Sequence, residues 1–152
     1  MSDVLEFMRA VWSLDHGLQA ASKRMHKALG VTGAQRLAIR IIGRFPALSA
    51  ARLAEVLHLD PSTLSGILKR LEEQGFVERE LDSTDRRRVM LRLTKKGLRV
   101  NRSTKGTVEE TMRKTLATFP AGRVAAASDV VKAIAKALRP SRAPVPRRPQ
   151  VG

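Results

Sequence analysis

Residues Ser49 to Gly97 read SAARLAEVLHLDPSTLSGILKRLEEQGFVERELDSTDRRRVMLRLTKKG, and this stretch decides the fold. Ser49 is a suitable N-cap, because its hydroxyl can accept a free N–H of a first helical turn. Leu53, Val56 and Leu57 then place apolar side chains on one helical face. Asp60-Pro61 opens a second helix: an aspartate caps, and a proline at the first position loses no hydrogen bond. Leu64, Ile67, Leu68 and Leu71 follow at i, i+3, i+4 and i+7, a narrow apolar stripe. The opposite face holds Ser62, Ser65, Gly66 and Lys69, with Thr63 near its start and Arg70 at its margin. Gly75 predicts the helix stop. Two strand-like runs follow, Phe76–Leu81 and Val89–Leu93, separated by Asp82-Ser83-Thr84-Asp85-Arg86-Arg87-Arg88. That connection is too polar to bury and dense in guanidinium groups.

Two short helices, a turn and a basic-tipped hairpin make a winged helix-turn-helix. Small hydroxyl residues and a cation suit a helix pressed into a major groove. An arginine at a hairpin tip suits a narrow minor groove, where the negative potential is enhanced. A neighbouring carboxylate can hold such a guanidinium in one geometry. The plainer alternatives stay open: an exposed polar helix face, and Asp85 with Arg87 as a solvated pair worth under about 1 kcal/mol.

The run LAEVLHLDPSTLSGILKRLEEQGFVER, the D-x-x-D-R-R wing and the LT-x-x-G that opens the next helix resemble the MarR family of bacterial transcription regulators. The resemblance implies a mainly α fold with a small β-hairpin wing, flanked by N- and C-terminal dimerisation helices. It implies that the second wing acid, Asp85, orients an arginine, Arg87, that enters the minor groove. Family members often carry arginine where this chain has Thr84. The expected DNA-binding residues are Ser49, Ser62, Thr63, Ser65, Lys69, Arg70, Asp85, Arg86, Arg87 and Arg88. The implied function is a homodimeric regulator of double-stranded DNA at a palindromic operator, in such families usually a repressor. Family members often release DNA on binding a small, often anionic aromatic ligand between the dimer helices and the winged domain. Arg9, Trp12, His16, Arg40 and Arg44 are the candidate lining of such a cleft, against Trp12 as dimer core and the arginines as surface.

Composition sets the outer bounds. The 152 residues are 43% apolar but only 3% aromatic, so the core must be aliphatic. A net charge of +15 favours a polyanionic partner. An architectural DNA-coating protein with little sequence preference is therefore the rival reading. The chain has no cysteine, which removes disulfides, thiolate metal sites and thiol redox switching together. His16, His26 and His58 share no metal-ligand spacing, and no nucleophile elbow or phosphate-binding glycine loop occurs. No enzyme activity, metal or cofactor is expected. No apolar run approaches the ~20 residues that span a bilayer, and the start is acidic, so a cytoplasmic protein without a membrane partner is expected.

Around the central stretch, residues 1–30 are expected to form an N-terminal dimerisation helix, capped by Ser2 or Asp3. Val4, Val11, Leu18 and Met25 recur every seven residues, with Met8 and Leu29 beside them, as a seam for a second subunit. Residues 31–97 form the winged domain, with the helix-turn-helix at 49–75 and the wing at 76–94. Thr32 and Gln35 form a capping box for a helix through Leu37, Ile41 and Ile42 that ends near Pro46. Arg36, Arg40 and Arg44 repeat every four residues on it, either as a solvated basic face or as a reach toward phosphates or a ligand anion. Thr94 is expected to cap one helix running to about Phe119, thinly lined by Leu98, Val108, Met112, Leu116 and Phe119. Val124, Ala127, Val131, Ile134 and Leu138 stripe a last helix, giving residues 98–138 as C-terminal dimerisation helices. The tail 139–152, with four prolines and four arginines, cannot build a core. It is expected to be a mobile basic arm or a solvated end.

Overall fold

The computed structural model describes residues 3–139. The expected tail lies outside the described residues apart from Arg139. Two compact units divide at Met112. The first contains α1 (Asp3–Leu29), α2 (Gly33–Arg44), α3 (Ala50–Leu57), α4 (Pro61–Glu73), β1 (Val77–Leu81), β2 (Val89–Leu93) and α5 (Lys95–Arg102). α6 (Val108–Leu116) begins in the first unit and ends in the second, which also holds α7 (Ala121–Ala137).

The core of the first unit is aliphatic, as the composition requires. Ile39 and Ile42 of α2, Leu53 of α3, Leu64, Leu68 and Leu71 of α4, Phe76, and Leu91 and Leu93 of β2 bury together. Ile67 packs at the edge of this cluster. Two expected core positions face outward: Leu37 and Val56 are exposed, and Ala38 and Ala54 take the inward places. β1 and β2 pair antiparallel with Val77 opposite Leu93 and Leu81 opposite Val89. On the far side of β2, Leu91 also bridges Leu48, donating its N–H to the Leu48 carbonyl at 2.8 Å.

Helix ends follow local chemistry. Thr32 and Gln35 form the expected reciprocal capping box on α2. The Ser49 hydroxyl accepts the Arg52 N–H at 3.2 Å. Asp60 occupies the N-cap position of α4, but its carboxylate makes no capping bond, so Pro61 alone sets that start. α4 ends as a Schellman motif: the Phe76 N–H reaches the Leu71 carbonyl and the Gly75 N–H that of Glu72, with Gly75 at φ +74°. α3 ends the same way, with Leu59 donating to Ala54, His58 to Glu55, and His58 itself at φ +55°. A histidine therefore stands where glycine is usual, which explains His58 as a turn residue. Its side chain is exposed.

Three further expectations are narrowed or corrected. Asp3 lies inside α1 and so does not cap it, while Ser2 is outside the described residues. The heptad seam of α1 is divided: Val4, Met8 and Val11 are exposed, Leu18 is half-buried, and Met25 is fully buried within the chain itself. Ser22, in the row beside the seam, accepts the Gly33 N–H at 2.8 Å and pins α1 to the start of α2. Third, the single helix from Thr94 to Phe119 is broken. Thr94 does cap α5 through the Gly97 N–H, but α5 stops at Arg102. Gly106 turns at φ +75°, and the Thr107 hydroxyl accepts the Glu110 N–H to open α6.

Arg36 explains the break. Its side chain is only 2% exposed, so it is neither a solvated face nor a phosphate ligand. Nη1 donates to the Val100 carbonyl, and Nη2 donates to the carbonyls of Asn101 at 3.4 Å and Ser103 at 2.6 Å. Nε pairs with the Glu109 carboxylate at 2.7 Å. The last carbonyls of a helix lack intrahelical partners and carry its negative dipole end. A guanidinium seated on them caps α5 and withholds those acceptors from the N–H groups that would continue it.

In the second unit, α7 buries no side chain within its own chain. Val124 is half-buried, whereas Val131, Ile134 and Leu138 of the expected stripe are exposed.

Candidate nucleic-acid interface

α4 presents Ser62, Thr63, Ser65, Lys69 and Arg70 outward, all exposed, while its other face is locked into the core by Leu64, Leu68 and Leu71. Gly66 is exposed among them, and nothing lies within 4 Å of where a side chain would begin. The outward surface is thus low at its centre, with its cation one turn farther along. Lys69 lies 4.0 Å from Glu73, a loose exposed pair that leaves the ammonium available. Ser49 is half-buried; its oxygen caps α3, and its hydroxyl hydrogen stays free to donate.

The wing tip is built by main-chain bonds to its two acids. Asp82 Oδ1 accepts both the N–H of Thr84 at 2.8 Å and its hydroxyl at 2.7 Å. Asp85 Oδ1 accepts the N–H of Arg87 at 3.0 Å. The Arg88 N–H reaches the Asp85 carbonyl, and the Asp82 N–H reaches the Arg88 carbonyl. Asp85 therefore orients Arg87 through its backbone, and a carboxylate–guanidinium fork is not formed. Arg86, Arg87 and Arg88 are exposed, and no salt bridge is recorded for them among the described residues. Three exposed guanidinium groups without a direct salt bridge thus project from a tip whose backbone is tied down.

Thr84, where arginine is frequent in the resembled family, instead completes this turn. Its N–H and hydroxyl hold the Asp82 carboxyl below its ordinary value, with Arg88 adding a smaller charge effect. A depressed carboxyl contributes order above its unfolded pKa and loses that contribution as the pH falls through its folded value. The amide resonances of Thr84 and Arg88 are therefore expected to keep their turn signature through the ordinary carboxylate range and to lose it only at lower pH. Persistence of that signature at pH 2 in NMR spectra would show that Asp82 does not hold the tip.

The candidate ligand residues are not gathered into one cavity. Arg9 and Trp12 border an open depression whose other lining residues, Glu6, Ala10 and Ser13, all belong to α1. Trp12 is 60% exposed, so it is not core within its own chain. His16 and Arg44 are exposed. Arg40 is engaged, with Nη1 at 3.0 Å from both oxygens of Asn101 and Nε at 3.7 Å from Glu109. Two further exposed cations escaped the sequence reading: Arg52 in the first turn of α3, paired with Glu55, and Arg79, paired with Glu72. Among the described residues, no cluster of three metal-ligating side chains occurs. No helix of the described residues is long and apolar enough to cross a membrane.

An outward polar helix beside a basic antiparallel hairpin, both carried on a helical core, defines the winged helix-turn-helix class of DNA-binding proteins. Residues 29–88 match the MarR family model. The organic hydroperoxide resistance transcriptional regulator of Bacillus subtilis is 32% identical over 104 residues, covering 64% of this chain and 71% of that protein. The HTH-type transcriptional regulator TtmR of Methylorubrum extorquens is 34% identical over 88 residues, covering 58% and 45%. Among solved structures, PcaV of Streptomyces coelicolor in complex with its natural ligand superposes with a TM-score of 0.68, at 24% identity over 91% of this chain and 95% of that one. The S. aureus MepR–DNA complex gives 0.71, at 16% identity over 88% and 98%. The chain belongs to the MarR family of DNA-binding transcription regulators.

Proposed function

We propose that the protein is a homodimeric, sequence-specific repressor acting in the cytoplasm and released from a palindromic operator by a small anionic or aromatic effector. The observation that carries the DNA reading is the wing tip, where Arg86, Arg87 and Arg88 point outward without salt bridges while Asp82 and Asp85 fix the backbone beneath them. In this reading, Ser62, Thr63, Ser65, Lys69 and Arg70 enter a major groove. Arg87 enters the adjoining minor groove, with Ser49, Arg86 and Arg88 near phosphates and Asp85 positioning Arg87. Two recognition helices then lie about 10 base pairs apart, centre to centre.

Dimerisation is supported by unspent apolar surface. Val4, Leu5, Val11, Trp12 and Leu14 of α1 are exposed, as are Val130, Val131 and Leu138 in and just after α7. Monomeric proteins rarely leave so much large apolar side chain on a helix in water. The effector reading is supported by the PcaV ligand complex and by the open depression at Arg9 and Trp12. Trp12 is the sole tryptophan, so its fluorescence reports directly on ligands at that depression.

Arg87→Ala is expected to weaken operator binding by about 1–3 kcal/mol while leaving the fold intact. Unchanged affinity in a gel-shift titration would make Arg87 a plain surface residue. Footprinting with competitor DNA tests the whole reading. A short palindromic footprint supports the regulator, a continuous one the coating protein, and no footprint a module for protein contacts only.

A further inference from the structure

We infer that Arg36, together with Glu109, is the positioning residue for the joint at residues 103–107, and that this joint governs operator affinity by fixing how far apart two recognition helices stand. The inference rests on the homodimeric reading above.

The argument begins with a competition for acceptors. In a continuous helix, the carbonyls of Val100, Asn101 and Ser103 would accept the N–H groups of Thr104, Lys105 and Thr107. In the structure Arg36 donates to all three carbonyls, Arg40 shares that of Asn101, and the Ser103 N–H turns back to that of Val100 in place of the Thr104 N–H. The intervening sequence, Ser103-Thr104-Lys105-Gly106-Thr107, is a weak helix former but not a forbidden one, since it contains no proline. The segment therefore has two hydrogen-bonded solutions: a break capped by Arg36, and a single longer helix. A buried guanidinium decides between them.

Glu109 decides whether Arg36 stays. It is the only acidic side chain recorded on that guanidinium among the described residues, it sits in the first turn of α6, and it is 36% exposed. Arg40 approaches the same carboxylate from the next turn of α2 and also grips Asn101. Two arginines of α2 thus hold both sides of the joint, the end of α5 and the start of α6, against the helix at the centre of the winged domain. α4 packs on that same α2. Loosening the pair lets the first turn of α6 shift relative to the reading helix while each winged domain keeps its own core.

Such a change has a signature that simple destabilisation lacks. Binding at a two-site operator requires both helices at one spacing, whereas non-specific binding needs only the charge of each domain. Glu109→Gln, which keeps size and one acceptor oxygen, is expected to lower operator affinity at least about fivefold, the lower end of coupling between sites. Affinity for random duplex should not change.

Because the chain has no cysteine, Glu73→Cys at the exposed end of α4 accepts a single nitroxide per subunit. Dipolar spectroscopy on the full chain, with and without Glu109→Gln, then reads the distance between the two α4 helices directly. Glu109→Asp serves as the conservative variant. The expected result is a narrow distance distribution in the parent, a broadened or shifted one in Glu109→Gln, and partial return in Glu109→Asp. Circular dichroism should be the same in all three. A parent distribution that Glu109→Gln leaves unchanged, with operator affinity also unchanged, overturns the inference while leaving the dimer in place. A parent with no intersubunit dipolar signal overturns the dimer reading itself, and the inference falls with it.

Discussion

Arg36→Met is expected to lower the unfolding free energy of the winged domain by about 3–5 kcal/mol, as when one partner of a buried charge network is removed. Methionine fills part of the volume but donates nothing. The carbonyls of Val100, Asn101 and Ser103 and the Glu109 carboxylate lose their shared donor together. Glu109 reaches water and can rehydrate, so the lower end of that range is favoured. A urea titration is the direct measurement, with the midpoint moving and the slope held. A change below about 0.5 kcal/mol, the ordinary scale for a surface substitution, would mean that Arg36 is hydrated in solution.

Gly97→Ala is the second large effect, and it acts through shape alone. A Cβ at Gly97 would lie 2.1 Å from the Phe76 carbonyl oxygen and 3.4 Å from the Leu93 Cβ. The first of these is backbone and cannot rotate away. The surrounding turn is also clasped from α5: the Thr94 hydroxyl donates to Gly75, and Lys96 Nζ donates to the Gln74 carbonyl at 2.7 Å. Lys96 further sits 4.6 Å over the Phe76 ring. Relief of the clash must therefore pull α5 off the Schellman turn that ends α4. Alanine regains about 1 kcal/mol of helix propensity, which offsets only part of an overpacking cost of about 3 kcal/mol or more. A net loss of about 2 kcal/mol corresponds to a fall in melting temperature on the order of 10 °C for a domain this size. An unchanged melting curve would mean that α5 stands off the Phe76 turn in solution.

The contrast between these two sites shows what was legible in the sequence. The leucine stripe of α4, the Gly75 stop, the two strand runs and the arginine tip are local signals, each read within a few residues, and they appear within a residue of where expected, although Val89 faces outward. Gly97 was visible only as a letter in LT-x-x-G; its tight approach to Phe76 exists only once the wing has folded back. Arg36 was misread because its repeat with Arg40 and Arg44 matches a solvated basic face. What buries it lies sixty or more residues away, on carbonyls that no sequence pattern marks. The same blindness made α5 and α6 one helix, since apolar spacing carries no record of a side chain competing for helix carbonyls. Asp85 shows a finer limit: the resemblance implies a carboxylate that orients Arg87, and the bond that forms is to the Arg87 main chain.

The small bridge between Leu48 and Leu91 has a mechanical consequence. It stitches the chain just ahead of α3 to the strand that returns from the wing tip, so the hairpin is not a free flap. Ala47, held at φ +64° beside the stitch, acts as a stiff elbow for a residue that is not glycine. Lengthening the Phe45–Leu48 connection by one residue would slip that stitch, and the tip would swing even with every arginine still in place. A one-residue change in the length of this segment would therefore alter the reach of the wing without replacing a single side chain of α4 or the tip.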